Sequence, residues 1–193
     1  MLKPEFHFPP LLNKLKRGGP AITQPKDAGL VMAYSGIGKE SRVIELGSGT
    51  GFMTVQLANI AKEVVSYEKR KEFLDIAQGN VKKAELKNVT FKERDVLSGI
   101  DEKDESWDLI FCDISDADKI TDMAYAALKT DGYLVGYCLQ SEQSKKLHLA
   151  AQKNFREVFT LESLNREYEV KDYGFRPKHF GLLYTAYLTF ARK

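Results

Sequence analysis

Cysteine is nearly absent from this chain, with Cys112 and Cys138 the only two in 193 residues. Both stand inside apolar, strand-like runs, so they read as buried reduced thiols rather than as a disulfide framework or a thiolate metal site. Histidine is almost as scarce. His7, His148 and His179 are scattered without ligand spacing, and no metal is expected. His179, beside Lys178, reads as a surface loop residue. The order of residues gives no serine–histidine–acid or cysteine–histidine arrangement. No apolar run approaches the roughly 20 residues that span a bilayer. The stretch from Met1 to Pro10 lacks a signal-peptide core. The expectation is a cytoplasmic protein without membrane association. Charge of one sign is not in excess either: the net charge of +2 is too small to argue nucleic-acid binding by itself. Internal repeats and low-complexity linkers are also lacking.

What is present describes a globular protein, 43% hydrophobic and 29% charged, long enough to bury a full core. Pro4, Pro9, Pro10 and Pro20 fall in the first twenty residues and break most helices there. Residues 1–20 are therefore an N-terminal arm, with Phe6, Phe8, Leu11, Leu12 and Leu15 interleaved and Lys14, Lys16 and Arg17 as a basic cluster. A solvated tail and a segment that contacts RNA or a partner both stay open. Residues 21–193 form one domain.

The domain is organised around Arg42–Gly51. Val43, Ile44 and Leu46 read as a buried parallel strand, and a helix carrying Val55, Leu57 and Ala58 begins near Phe52. Gly47, Gly49 and Gly51 alternate between them, where glycine lets the backbone turn sharply and approach a ligand closely. The loop amides and the helix N-terminus then favour polar or anionic groups. The dinucleotide fingerprint has two residues between its second and third glycines, whereas here only Thr50 lies there. A short helix over 27–38 precedes this unit. Val64–Glu68 is a second strand, and Glu68 lies where a carboxylate can accept both hydroxyls of a ribose. A helix over 70–86, a strand over 89–94 closed by Asp95 and a charged loop over 100–106 follow. The strand beginning at Trp107 ends at Asp113. A helix over 117–128, a turn at Asp131-Gly132, a strand over 133–138, a helix over 141–154 and strand-like runs over 155–161 and 183–190 complete the chain. This order predicts an α/β fold with a doubly wound, mostly parallel seven-stranded sheet, an antiparallel terminal strand, and ligands at the carboxyl ends of the strands.

The pattern Glu45-Leu46-Gly47-Ser48-Gly49-Thr50-Gly51 resembles motif I of the class I S-adenosylmethionine-dependent methyltransferases, whose fold is Rossmann-like. Two flanking stretches narrow the resemblance. Leu15–Ala28, with Gly18-Gly19-Pro20 and Gln24-Pro25-Lys26-Asp27, is similar to the leading segment of the tRNA adenine-N1 methyltransferases. Glu162, Leu164, Arg166, Tyr168, Arg176-Pro177, Tyr184–Leu188 and Phe190-Ala191-Arg192 follow that family's order near its end. The likeness covers roughly residues 14–193, the family's catalytic domain. It implies methyl transfer from S-adenosylmethionine to a ring nitrogen of adenine in tRNA, leaving S-adenosylhomocysteine. It also implies that Glu45, Gly47, Ser48, Gly49, Thr50, Gly51, Glu68, Asp95 and Gln24 serve the cofactor, with Glu68 on its ribose and Asp95 on its adenine. Asp113 is implied as the catalytic acid, beside the transferred methyl. Self-association as a homodimer or homotetramer is implied as well.

The chain departs from that family in places. Gln24 stands where the family has a tyrosine near the target base. Asp113 is followed by Ile114-Ser115 instead of Leu-Pro, and Leu183-Tyr184-Thr185 replaces Gly-His-Thr. The family's N-terminal β-rich domain has only the arm in its place here. Three readings stay open: an RNA methyltransferase, a small-molecule methyltransferase on the same sheet, and a non-catalytic RNA-binding or partner subunit. The first expects Lys14, Lys16, Arg17, Lys171, Arg176 and Lys178 to offer phosphate contacts, and Tyr168, Tyr173 and Phe175 to contact a base. Tyr133 and Tyr137 read as core.

Overall fold

The computed structural model describes residues 7–102, 105–179, 181–182 and 184–193. Phe6, two residues of the charged loop, and Leu183 at the expected start of the last strand lie outside the described residues. In chain order the elements are α1 (Pro10–Asn13), α2 (Pro25–Ser35), β1 (Arg42–Leu46), α3 (Phe52–Ala58), β2 (Glu63–Glu68), α4 (Lys71–Lys83), β3 (Val89–Glu93) and β4 (Trp107–Cys112). They continue with α5 (Thr121–Ala127), β5 (Leu128–Cys138), α6 (Ser141–Ala151), β6 (Glu157–Glu162), β7 (Tyr168–Lys171), β8 (Gly174–Pro177) and β9 (Tyr187–Arg192).

Seven strands form one sheet in the order β3-β2-β1-β4-β5-β9-β6. The first five run parallel, and β9 runs antiparallel between β5 and β6. Alternation along β1 shows why both faces are covered. Val43 packs with Leu57, Phe111 and Phe190 on one side. Ile44 and Leu46 pack with Tyr67, Trp107 and Ile110 on the other. A parallel strand buried on both faces reads as a near-continuous apolar run, which is what the sequence has here. The strand order reverses between β1 and β4, and in such sheets the crevice at that reversal, past the carboxyl ends, holds the ligand. Leu46 and Cys112 pair at that end, so Gly47 and Asp113 leave the sheet side by side.

Three local features differ from the sequence reading. The strand expected over 133–138 begins at Leu128, and Asp131-Gly132 lies within it. Asp131 takes φ 67°, and the register against β4 shifts between Trp107 and Leu109, so the chain bulges where a terminating turn was expected. Residues 168–177, where the sequence reading places no strand, form the antiparallel ribbon of β7 and β8. The last strand starts at Tyr187, with Tyr184–Ala186 leading in irregularly.

The arm is anchored. Leu12 and Leu15 are buried against Phe52, Val55 and Val81, with Phe8 and Leu11 packed beside them. Leu12 is 2% exposed. Leu12→Ala is expected to cost about 2–5 kcal/mol of unfolding free energy, the range for a truncated buried leucine, read from a urea titration. A free tail would leave stability unchanged.

Candidate active site

The glycine loop is shaped by where its backbone must go. The N–H groups of Gly47 and Ser48 both donate to the Tyr67 carbonyl, at 2.9 and 3.0 Å, which folds the chain over the end of β2. Gly47 takes φ 94°, and a Cβ there would sit 2.5 Å from the Asp113 carbonyl oxygen. Only glycine lets the ends of β1 and β4 come this close. Gly51 takes φ 80° and packs on Ala77 of α4, where a Cβ would sit 3.0 Å from its Cα. Gly49, at φ 49°, faces open space. A residue not singled out in the sequence holds the loop from behind. Buried Asn80 donates from Nδ2 to the carbonyls of Thr50 and Lys16, and its Oδ1 accepts from the Lys16 N–H. One amide thus ties the cofactor loop to the arm.

Four acids surround this loop in different ways. Glu68, 4% exposed, closes β2. Its Oε2 accepts from the Gly49 N–H at 2.9 Å, and its Oε1 accepts from the N–H groups of Lys69 and Arg70 and from Arg70 Nε. Asp95 is exposed. Its Oδ1 accepts from the Leu97 N–H and its Oδ2 from Lys69 Nζ, which hold its carboxyl below the usual range. Asp113 is partly buried. Burial pushes its carboxyl up to about 7, the nearby Glu68 charge adds to that, and Arg70 opposes it. Glu45 does not line the cleft at all. It lies fully buried beneath the loop, where Thr54 Oγ1 and Ser66 Oγ donate to its Oε2 and its Oε1 has no partner. Burial raises it to about 7 despite those two hydrogen bonds.

Two acids with raised values give a pH dependence of stability. The native state keeps these protons up to about pH 7, whereas the unfolded chain releases them near its ordinary carboxylate values of 4.5 and 3.8. Between those limits the native state binds more protons, so stability falls as pH rises. Glu45→Gln is expected to flatten that slope, measured as the difference between urea midpoints at pH 5 and pH 7.5. An unchanged slope would show that Glu45 is ionised throughout.

Three adjoining compartments run along the strand ends. The first, about 250 Å³, is lined by Gly47, Glu68, Arg70, Asp95, Leu97 and Asp113 among others. The second, about 150 Å³, shares Gly47, Glu68, Arg70 and Asp113 with it and adds Ser48, Gly49, Thr50 and Thr23. The third, about 460 Å³, is built from Arg17, Gly19–Ile22 and Gln24 of the leading segment, Tyr137 and Leu139 after β5, and Tyr184 and Thr185 of the closing segment. Gln24 thus lies in the outer compartment, apart from the other residues grouped with the cofactor. Lys26 supports its wall. Its Nζ donates to Asp27 Oδ1, the Ser163 carbonyl and Thr185 Oγ1, at 2.7, 2.7 and 2.6 Å. Tyr137 is 5% exposed, as a core residue would be, yet it borders two compartments. Tyr168, Tyr173 and Phe175 lie on the β7–β8 ribbon and line none of these three spaces. Of the six basic residues expected to meet RNA, Arg17 lines the outer compartment, while Lys14 and Lys16 are exposed. Lys171 and Arg176 pair with Glu169, and Lys178 pairs with Glu167.

The residues present fit S-adenosylmethionine. Glu68 offers a carboxylate suited to two ribose hydroxyls, Asp95 an acceptor for an amino group, and Gly49 a side-chain-free wall. Ser48 Oγ is buried without a partner, a polar atom that a bound ligand could satisfy. Among the described residues, no group of three metal-ligating side chains forms a metal site. No helix among them is long and apolar enough to cross a membrane.

A family model described as a methyltransferase domain matches residues 37–174. The tRNA (adenine(57)-N(1)/adenine(58)-N(1))-methyltransferase TrmI of Methanocaldococcus jannaschii is 32% identical over 217 residues, covering 95% of this chain and 76% of that protein. The crystal structure of a SAM-dependent O-methyltransferase from Thermotoga maritima matches with a TM-score of 0.88 and 33% identity, over 96% of this chain and 71% of that one. The tRNA (m1A58) methyltransferase TrmI from Aquifex aeolicus matches with a TM-score of 0.88 and 28% identity, over 95% of this chain and 74% of that one.

Proposed function

This chain belongs to the methyltransferase-domain family and is an S-adenosylmethionine-dependent methyltransferase, and on that premise we propose that it methylates N1 of an adenine in tRNA. The observation that carries this reading is the make-up of the outer compartment. The two stretches that resemble the tRNA adenine-N1 enzymes lie more than a hundred residues apart, and both supply walls to that one space beside Asp113. Likeness to the Methanocaldococcus jannaschii enzyme over 95% of the chain agrees with it.

When bound, S-adenosylmethionine supplies an electrophilic methyl group on a sulfonium. The chain's own residues then align donor and acceptor, which is where much of the rate of such a transfer originates. Glu68 and Asp95 hold the nucleoside end. Asp113 takes the junction between cofactor and acceptor spaces. Its ionised carboxylate accepts a hydrogen bond from the adenine amino group and stabilises the positive charge that develops on the ring as N1 is alkylated.

The departures from the tRNA enzymes at Gln24 and Ile114-Ser115 favour a second reading, a small-molecule acceptor in the same outer compartment, and the likeness to a SAM-dependent O-methyltransferase at 33% identity is compatible with an acceptor other than tRNA. Incubation with tritiated S-adenosylmethionine, total RNA and a small-metabolite extract separates the two. Label in the tRNA fraction is the expected result. Label confined to metabolites would replace this proposal with the second.

A further inference from the structure

We infer that Gln24 reads the acceptor base, its side-chain amide engaging N6 and N7 of an adenine; this rests on the tRNA adenine-N1 reading above. Gln24 precedes α2 with extended backbone and makes no side-chain capping bond. It lines the outer compartment and is half-buried, and among the described residues its side-chain amide has no hydrogen-bond partner. A half-buried primary amide with both its oxygen and its nitrogen unengaged is a donor–acceptor pair held ready for a ligand. Apolar and aromatic walls beside it, Ile22, Leu139, Tyr137 and Tyr184, suit a planar ring. Glutamine matches one base edge in both directions, accepting from adenine N6 and donating to N7.

The pairing is consistent with the position of Asp113. The adenine amino group has two hydrogens, one beside N7 and one beside N1. Gln24 takes the first and leaves the second for the carboxylate. The compartment that holds Gln24 shares Tyr137 and Leu139 with the one that holds Asp113, so the two side chains border adjoining spaces. With both N6 hydrogens accepted, electron density moves from the amino group into the ring and N1 becomes the better nucleophile. Guanine presents acceptors at both O6 and N7 and cannot satisfy the same amide in both directions. Gln24 is therefore a specificity-determining residue.

The test is a double-substitution cycle on tRNA transcripts made with adenosine or with 7-deazaadenosine, which lacks the N7 acceptor. Wild-type enzyme is expected to lose about tenfold in kcat/KM on the 7-deaza transcript, the low end of a bidentate base contact. Gln24→Ala is expected to lose a similar factor on the adenosine transcript and to show little further loss on the 7-deaza one, the non-additivity expected of two partners in one contact. Calorimetry with S-adenosylmethionine should give wild-type affinity for Gln24→Ala, which separates lost base reading from misfolding or a lost cofactor contact. Equal 7-deaza penalties in wild type and Gln24→Ala, no penalty in wild type, or weakened S-adenosylmethionine binding by the variant would overturn the inference. Failure of the wild-type enzyme to methylate the unmodified transcript would overturn the tRNA reading itself and this inference with it.

Discussion

Asp113→Ala is expected to lower kcat for methyl transfer by about 10²- to 10³-fold, the usual cost of removing one group aimed at developing charge. The cofactor should still bind, because Glu68, Asp95 and the glycine loop keep their own supports. Asp113→Asn isolates the charge. The wild-type carboxyl is held up to about 7 by burial and by the Glu68 charge. Its ionised form therefore accumulates as pH rises through about 7, and kcat/KM should rise over the same interval. Asp113→Asn should lack that rise. An Asn variant that keeps the wild-type pH profile would assign the titration elsewhere and leave Asp113 as a strand-end cap.

Gly47→Ala is expected to have the second-largest effect, and its contrast with Gly49→Ala makes it informative. At Gly47 the new methyl would lie 2.5 Å from the Asp113 backbone carbonyl, with φ at 94°. Neither is relieved by a side-chain rotation, so β1 and β4 must separate. The strain of such a backbone position alone is on the order of 1–3 kcal/mol, and the clash adds to it. Reduced stability and lost cofactor binding should appear together. At Gly49 the methyl would enter open space bordering the second compartment. That variant carries the strain of its φ of 49° but no clash, so it should lose less stability than Gly47→Ala yet bind S-adenosylmethionine poorly in calorimetry. Equal losses of stability at the two positions would mean that the loop is a structural turn.

The parts of the fold that could be read from the chain are those fixed by short-range rules. Val43–Leu46 is an apolar run ending at alternating glycines, and the strand, loop and helix all follow from residues within ten positions of one another. Strand-end acids were legible for a similar reason: Glu68 and Asp113 each follow an apolar run, Asp95 closes the strand expected over 89–94, and all three line the first compartment. Asn80 was not legible. Its partners are the backbone carbonyls of Thr50 and Lys16, and a carbonyl leaves no mark in the sequence. Glu45 sits in the motif but serves beneath it, since burial on a central strand is set by neighbours on β2 and α3. The β7–β8 ribbon was missed because Asp172-Tyr173 is not a strong hairpin signal. Tyr137 shows a different limit. Its burial matches a core residue, and only the position of the closing segment makes its edge a wall of the acceptor space.

The most direct test of the account is the identity of the methylated nucleoside. An unmodified tRNA transcript would be incubated with the purified enzyme and S-adenosylmethionine, digested to nucleosides and resolved by mass spectrometry against synthetic standards, with Asp113→Ala in parallel. The account predicts N1-methyladenosine as the new product, strongly reduced in the variant. A different methylated nucleoside, or none while S-adenosylmethionine still binds, would contradict it.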